Sequence, residues 1–250
     1  MNRRPRILAL IAFRDEMRFL PGFFPSVAPH VDGIVALDDG SSDGSYDYVA
    51  AQPGVLEVLH IPPGTHGDNE DSILRRRLIE AAWEHDPDWL LGIDADERVE
   101  LGFRARAEAE LNRADELGAS AMWVPFKELW DAGHYRSDGI WGRKHKACLF
   151  RSDRAHAFDT RRVHSFWASV PEPAGGWPIA DLRLYHLRMI EPADRRARAE
   201  RYERVDPDHV WQPIGYDYLL DDTGLELTAV EPERGYVTSA AEPAGAGADG

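Results

Sequence analysis

Asp94-Ala95-Asp96 is the point in this chain where residue types and spacing could do chemistry. Side chains two apart in an extended segment point the same way, so both carboxylates can face one site. Left bare they repel, and one tends to hold a proton. A divalent cation removes that conflict. Mg²⁺ or Mn²⁺ prefers oxygen ligands and takes one or two carboxylates together with substrate phosphates. Glu97 adds negative charge beside the pair. A second acidic group, Asp38-Asp39-Gly40-Ser41-Ser42-Asp43, could accept hydrogen bonds from the N–H and O–H groups of a nucleobase or ribose. The same residues also make an ordinary capped turn.

Both groups follow short apolar runs. Residues 7–13, 33–37, 55–61, 89–93 and 121–126 read as strands, apolar throughout as buried strands are. Between them lie helical patterns: a short one over 45–51, one carrying Ile73, Leu74, Leu78, Ala81 and Ala82 at helical spacing, and a charged one over 101–117. Such alternation predicts an α/β fold, with a mostly parallel sheet and helices on both faces. Beyond residue 126 the pattern is less regular, with strands at 147–151 and 182–187 and an Arg-rich helix over 192–204 that has Pro in its first turn. Arg195, Arg196, Arg198, Arg201 and Arg204 of that helix either grip an anion or form a solvated face laced by pairs such as Glu200–Arg204. Trp130 and Trp141 flank polar loop residues and are candidates to stack on a ligand, although tryptophan is well buried on average. The Gly-, Ala- and Pro-rich stretch 231–250 is expected to be disordered.

The 250 residues carry a formal net charge of −15. A chain of that sign repels nucleic acid and anionic membrane at long range, which leaves nucleotides as partners but not polymeric nucleic acid. The single cysteine, Cys148, excludes an intramolecular disulfide and a Cys-rich zinc site. Residues 7–13 are followed at once by Arg14, Asp15 and Glu16, with no small-residue cleavage site, so they read as a strand and not a signal peptide. No stretch is apolar and long enough for a transmembrane segment. A cytoplasmic setting is expected, with room for peripheral contact with a membrane.

Together the two acidic motifs resemble those of the family 2 glycosyltransferases of the GT-A fold, known from bacteria. Asp38-Asp39-Gly40-Ser41-Ser42-Asp43 looks like that family's nucleotide-binding motif after the second strand, and Asp94-Ala95-Asp96 like its metal motif. Ile11-Ala12-Phe13-Arg14-Asp15-Glu16 is similar to the end of its first strand, with Ala12 and Asp15 in place of the usual Pro and Asn. Arg75, Arg76 and Arg77 fall where the family has an Arg before the metal motif. The resemblance covers about the first 130 residues by motif order.

It implies a single GT-A domain over 1–230, with a Rossmann-like nucleotide-sugar-binding half (1–126) and an irregular acceptor-binding half (127–230). It also implies inverting transfer from a nucleotide diphosphate sugar to an acceptor that could be a sugar, a lipid-linked glycan or a small molecule. Asp38 or Asp39, Glu16, Arg75, Arg76, Ala95 and the Ala12–Phe13 backbone would hold the donor. Asp94 would contact ribose or metal, and Asp96 would bind Mn²⁺ or Mg²⁺. His186 matches a later family histidine that ligates the metal or binds the diphosphate. His164 matches an earlier one, but Ser165 replaces the Glu that follows it. The reaction needs a base for the acceptor hydroxyl. Asp131 and Asp138, on a Gly- and aromatic-rich stretch, are candidates for it, or simply turn residues. The same carboxylates would also serve a metal-dependent phosphohydrolase or nucleotidyltransferase, or an inactive nucleotide-sugar-binding protein.

Overall fold

The structure is a computed structural model of the 250-residue chain and describes residues 3–65, 71–158, 167–168, 170, 172 and 175–238. Strands β1 (Ile7–Phe13), β2 (Gly33–Asp38), β3 (Val55–His60) and β4 (Trp89–Gly92) run parallel in the spatial order β3-β2-β1-β4. β1, β2 and β4 are buried along nearly all their length, while β3, at the edge, is half-exposed. Beyond β4 the sheet turns antiparallel, through β8 (His145–Arg151), β6 (Ala121–Asp131), β7 (His134–Arg136) and β10 (Leu227–Ala229). Two short strands, β5 (Glu97–Val99) and β9 (Leu184–His186), pair with each other, and β9 also lies parallel to β6.

The helices are α1 (Leu20–Val27), α2 (Ser45–Ala50), α3 (Asp71–Ala82), α4 (Phe103–Leu117) and α5 (Pro192–Val205). α3 packs on β1 and β2 through the apolar positions that its spacing marks, with Leu78, Ile79 and Ala82 buried. α2 lies against β2 and β3, and α1 against β5. The chain steps outward from β1 to β3, then returns to the other side of β1 with β4. β1 and β4 therefore flank a switch point, the place where open α/β sheets bind ligands beyond the strand ends. Residues 14–16 and 94–96 emerge there.

Gly92 closes β4 just before the acidic turn. A methyl group on it would run into the ring of Trp167, whose indole is buried. Gly92→Ala is expected to destabilise the fold by about 1–3 kcal/mol through overpacking. A fall in the urea midpoint at unchanged slope checks this, and an unchanged midpoint would speak against the close approach.

The division expected between residues 126 and 127 falls inside β6, and β8 of the later half lies beside β4. The two halves therefore share one sheet. Within the tail expected to be disordered from 231, residues 234–237 are packed. Arg234 pairs with Glu100 and, at 2.8 Å, with Asp181, and the Tyr236 ring lies 5.0 Å from that of Tyr185. Composition misses this because the anchor is a buried carboxylate 134 residues away in sequence. Residues 239–250 lie outside the described residues. Among the described residues no helix is long and apolar enough to cross a membrane. Cys148 is buried and unbridged.

Candidate functional site

The segment after β1 and the segment after β2 are laced together. The amide of Asp15 donates to Ser41 Oγ (3.0 Å), Glu16 N–H to Ser45 Oγ (2.9 Å) and Met17 N–H to Asp43 (3.0 Å). Asp15 sits at φ 53°, unusual for a residue with a side chain, and its carboxylate accepts from the Ser42 amide at 2.7 Å. Asp38 is fully buried. Its carboxylate accepts from the Ser41 amide (3.1 Å) and lies 2.8 Å from His60 Nδ1. Asp38 thus shapes the turn, and of the two alternatives Asp39 is the less buried carboxylate. Its amide donates to Phe13 O (2.9 Å), and Arg14 lies 3.4 Å from its side chain. Ala12 is half-buried and Phe13 buried at the end of β1.

The metal-motif aspartates do not lie on an extended strand. The Glu97 amide donates to Asp94 O at 3.0 Å and closes a turn. Arg98 is wholly buried and holds that turn to the start of α1. Its guanidinium donates to Ala95 O (2.9 Å), Glu97 O (2.7 Å) and Phe19 O (2.7 Å). Asp96 remains near enough to oppose charge on Asp94, yet each has its own cation. Lys146 of β8 bridges Asp94 (2.9 Å) and Glu97. Arg188, two residues beyond His186, bridges Asp96 and Glu16. Arg75 adds positive charge toward Asp94 and lies 4.8 Å over the Trp167 ring.

Behind Asp96 sits a second layer. His186 Nε2 lies 3.3 Å from Asp96 Oδ2, and its Nδ1 is bonded to the buried Glu128. Lys144 donates to Glu128 at 2.7 Å, and Arg198 of α5 reaches His186 Nε2 at 3.2 Å. Burial would raise Asp96 and Glu128, but the cations around them hold both below the usual carboxylate range. Burial opposes charge on His186, yet Glu128 and Asp96 outweigh it and push the imidazole up to about 9. Burial pushes Glu97 up to about 8 against the pull of Lys146, and burial and Asp96 together lift Glu16 to about 7.

A pH prediction follows. His186 has an ordinary pKa of 6.5, raised in the fold to about 9. Its stabilisation is therefore complete below 6.5 and is lost as pH rises through about 9. Glu97, raised from 4.5 to about 8, acts with the same sign. The unfolding free energy is expected to fall by roughly 1–3 kcal/mol between pH 6.5 and 9. Urea melts in a chelator across that range check it, and a flat profile would contradict the buried cluster.

Several expected site residues are placed elsewhere. Both oxygens of Asp138 are taken by the Arg136 guanidinium (2.7 and 2.9 Å), which holds its carboxyl below the usual range. A carboxylate so held is a poor general base. Asp131 accepts from the Gly133 amide (2.7 Å) in the β6–β7 turn and pairs with His134 at 3.0 Å. It is a turn residue apart from the Asp94–Asp96 cluster. Trp130 and Trp141 are 8% and 3% exposed and pack edge to face at 5.5 Å in a satellite core with Met189, Tyr216 and Leu219. Arg195 (4.0 Å) and Lys144 (4.0 Å) cover their faces, so neither ring is open to an acceptor. Arg76 is exposed and pairs along its own helix with Glu80 at 2.8 Å. His164 and Ser165 lie outside the described residues.

Glu128 and Arg188 escape the sequence reading, and so does the pairing of Lys146 with the motif. One signal was available for two of them. Lys144 and Lys146, like His186 and Arg188, are two apart and so share a side in extended chain. Glu128, beside Lys127 just past the end of an apolar run, gave no such signal.

The expected Mn²⁺ or Mg²⁺ meets a half-site. Asp96 and His186 present facing donor atoms, and Glu128 holds the far side of the imidazole, as carboxylates do behind metal-ligating histidines. A cation would need the imidazole deprotonated and both Arg188 and Arg198 moved off the pair before phosphate and water could complete its shell. Asp94 is turned to Lys146 instead. Among the described residues, no group of three or more His, Cys, Asp and Glu is placed to hold an ion.

The chain is 27% identical over 236 residues to the uncharacterized protein Rv3786c of Mycobacterium tuberculosis and, equally, to Mb3815c of Mycobacterium bovis; the match covers 88% of this chain and 57% of each relative. The chain thus spans little more than half the length of the curated relatives it matches. No family model matches it. Among solved structures, residues 1–349 of TarS from S. aureus superpose with a TM-score of 0.50 at 10% identity, covering 88% of this chain and 73% of that one. At that identity the likeness speaks for the fold, which is α/β with a largely parallel central sheet, of the GT-A type.

Proposed function

We propose that the chain is an inverting glycosyltransferase that uses a nucleotide diphosphate sugar and a divalent cation. One observation carries the reading: the acidic turns after β2 and β4 lie on either side of the segment after β1, at the switch point of a GT-A-type sheet, with Lys146 and Arg188 set beside the carboxylates of the second turn. Asp39 and the chain after β1 take the base and ribose, and Asp94 faces the ribose or the sugar. Asp96 and His186 would hold the cation, which when bound would neutralise the diphosphate and ease its departure. Arg188 and Lys146 add fixed positive charge where the leaving group becomes more negative. The acceptor hydroxyl attacks the anomeric carbon from the opposite face, through a transition state of oxocarbenium character.

Incubation with a panel of nucleotide sugars and candidate acceptors tests this. Release of nucleoside diphosphate coupled to sugar transfer is expected, with Asp39→Ala weakening diphosphate binding about 10-fold or more, as loss of a charged hydrogen-bond partner does. Release of nucleoside monophosphate without transfer would favour a phosphohydrolase or nucleotidyltransferase instead.

A further inference from the structure

We infer that Arg195 of α5 is the receptor for one oxyanion, a phosphate or a carboxylate carried by the acceptor. That the anion belongs to an acceptor rests on the donor reading above; that Arg195 holds one does not.

The Arg-rich helix offered two readings, and its arginines divide between them. Arg196, Arg201 and Arg204 are exposed, as a solvated face requires. Arg195 is 8% exposed. Its guanidinium lies 4.0 Å over the Trp130 ring, on which Arg136 also packs at 4.9 Å. Arg136 has its anion in Asp138, at 2.7 and 2.9 Å. Arg195 has none: among the described residues no carboxylate forms an ion pair with it, and its Nη1 is buried without a hydrogen-bond partner. Burial and the like charge of Arg136 pull its guanidinium below the usual value, although Asp222 and Glu191 are near enough to be felt.

A buried charge without a partner is costly, and buried polar atoms nearly always find one. An oxyanion supplies what Arg195 lacks, since the guanidinium fork donates to two of its oxygens at once. The chain carries a net charge of −15, so a negatively charged acceptor needs a local cation of this kind in order to dock. The place suits an acceptor. Arg198 lies one turn further along α5, about 4.5 Å of helix, and reaches His186 Nε2 at 3.2 Å, which lies 3.3 Å from Asp96. Trp130, under Arg195, belongs to β6, beyond β8 and β4 in the sheet, whereas Asp39 follows β2 on the far side of β1. Arg195 is thus near the Asp96 cluster and on the side opposite the nucleotide turn.

Thermal unfolding in inorganic phosphate, against chloride of the same ionic strength, tests this. Phosphate at about 50 mM is expected to raise the melting temperature of the native chain by about 2–5 °C more than that of Arg195→Met, by mass action at one millimolar site. The comparison removes the general stabilisation that phosphate gives any protein. In chloride Arg195→Met should melt no lower than the native chain, because it deletes an unpaired buried cation; an arginine that only packs would leave a lower melting temperature. Arg195→Lys keeps the charge without the fork, should retain part of the phosphate effect, and serves if Arg195→Met does not fold. Arg188→Gln should keep the effect, which separates this site from the place of the diphosphate. Glucuronate run alongside offers a carboxylate, and an effect of either anion that is lost in Arg195→Met supports the inference. Equal shifts in the native chain and Arg195→Met with both anions overturn it, as does a shift lost in Arg188→Gln alone. In the transfer assay Arg195→Met should raise the acceptor KM about tenfold or more, with kcat little changed. An unchanged acceptor KM would mean an adventitious ion only and overturns the assignment to the acceptor. A shift that depends on Arg195, with no transfer from any nucleotide sugar, leaves the anion site standing and overturns the donor reading instead.

Discussion

Asp96→Asn is expected to lower the rate of sugar transfer by about 100- to 1000-fold, the scale on which a single preorganised electrostatic contact to a transition state acts. The substitution keeps the volume and one acceptor oxygen but removes the charge that Arg188 and His186 share. Under the proposed function two consequences combine. The half-site loses its anionic ligand, so the cation is held less well against the diphosphate. Arg188 also loses the partner that fixes it beside Glu16, so its charge is no longer held in place where the leaving group departs. The fold should survive, because the turn itself hangs on the Arg98 guanidinium and on the Glu97 amide, neither of which uses the Asp96 side chain. Steady-state transfer with the natural donor sugar, alongside circular dichroism of the variant, checks both halves of the expectation. A folded variant with native turnover would remove Asp96 from the mechanism.

Glu128→Ala should have the largest effect on stability, about 3–5 kcal/mol, the usual cost of removing one partner from a buried ion pair. Glu128 is wholly buried and is the shared anion of Lys144, at 2.7 Å, and His186. Without it two positive groups face each other across a dry interior, and His186 gives up its proton more readily. Glu128→Gln keeps the hydrogen-bond geometry and should cost less. The pH profile supplies a readout that simple loss of packing would not move: the decline in stability between pH 6.5 and 9 should flatten in both variants, since Glu128 is the chief group holding His186 charged. Urea unfolding at several pH values measures both quantities. A variant as stable as the native chain, with an unchanged profile, would show that Glu128 is not paired as described.

The two acidic turns and the strands that carry them were legible in the sequence, because both are local features. A run such as Ile7–Phe13 is buried on both faces because every side chain in it is apolar, and Gly, Ser and Asp at 38–44 can only end the strand before them. The order of those turns also fixed their place at the switch point once the sheet was taken as parallel. The helices followed for the same reason, as in the buried Leu78, Ile79 and Ala82 of α3.

Residue roles that depend on register were not legible. The β6–β9 pairing sets Glu128 opposite His186, and the β5–β9 pairing sets Glu97 opposite the same residue. No local pattern encodes either match, since it joins segments 58 residues apart and more. Trp130 and Trp141 illustrate the opposite error. Polar neighbours in sequence suggested open rings, but packing against Arg195 and Lys144 covers them. Asp138 is likewise spent on Arg136, an ion pair between near neighbours whose geometry only the folded strand fixes. Where the acidic groups stand is readable from local patterns, because apolar runs and turn residues act over a few positions. Which cation neutralises each of them emerges in the folded chain alone, because ion pairing between distant segments is set by sheet register and burial.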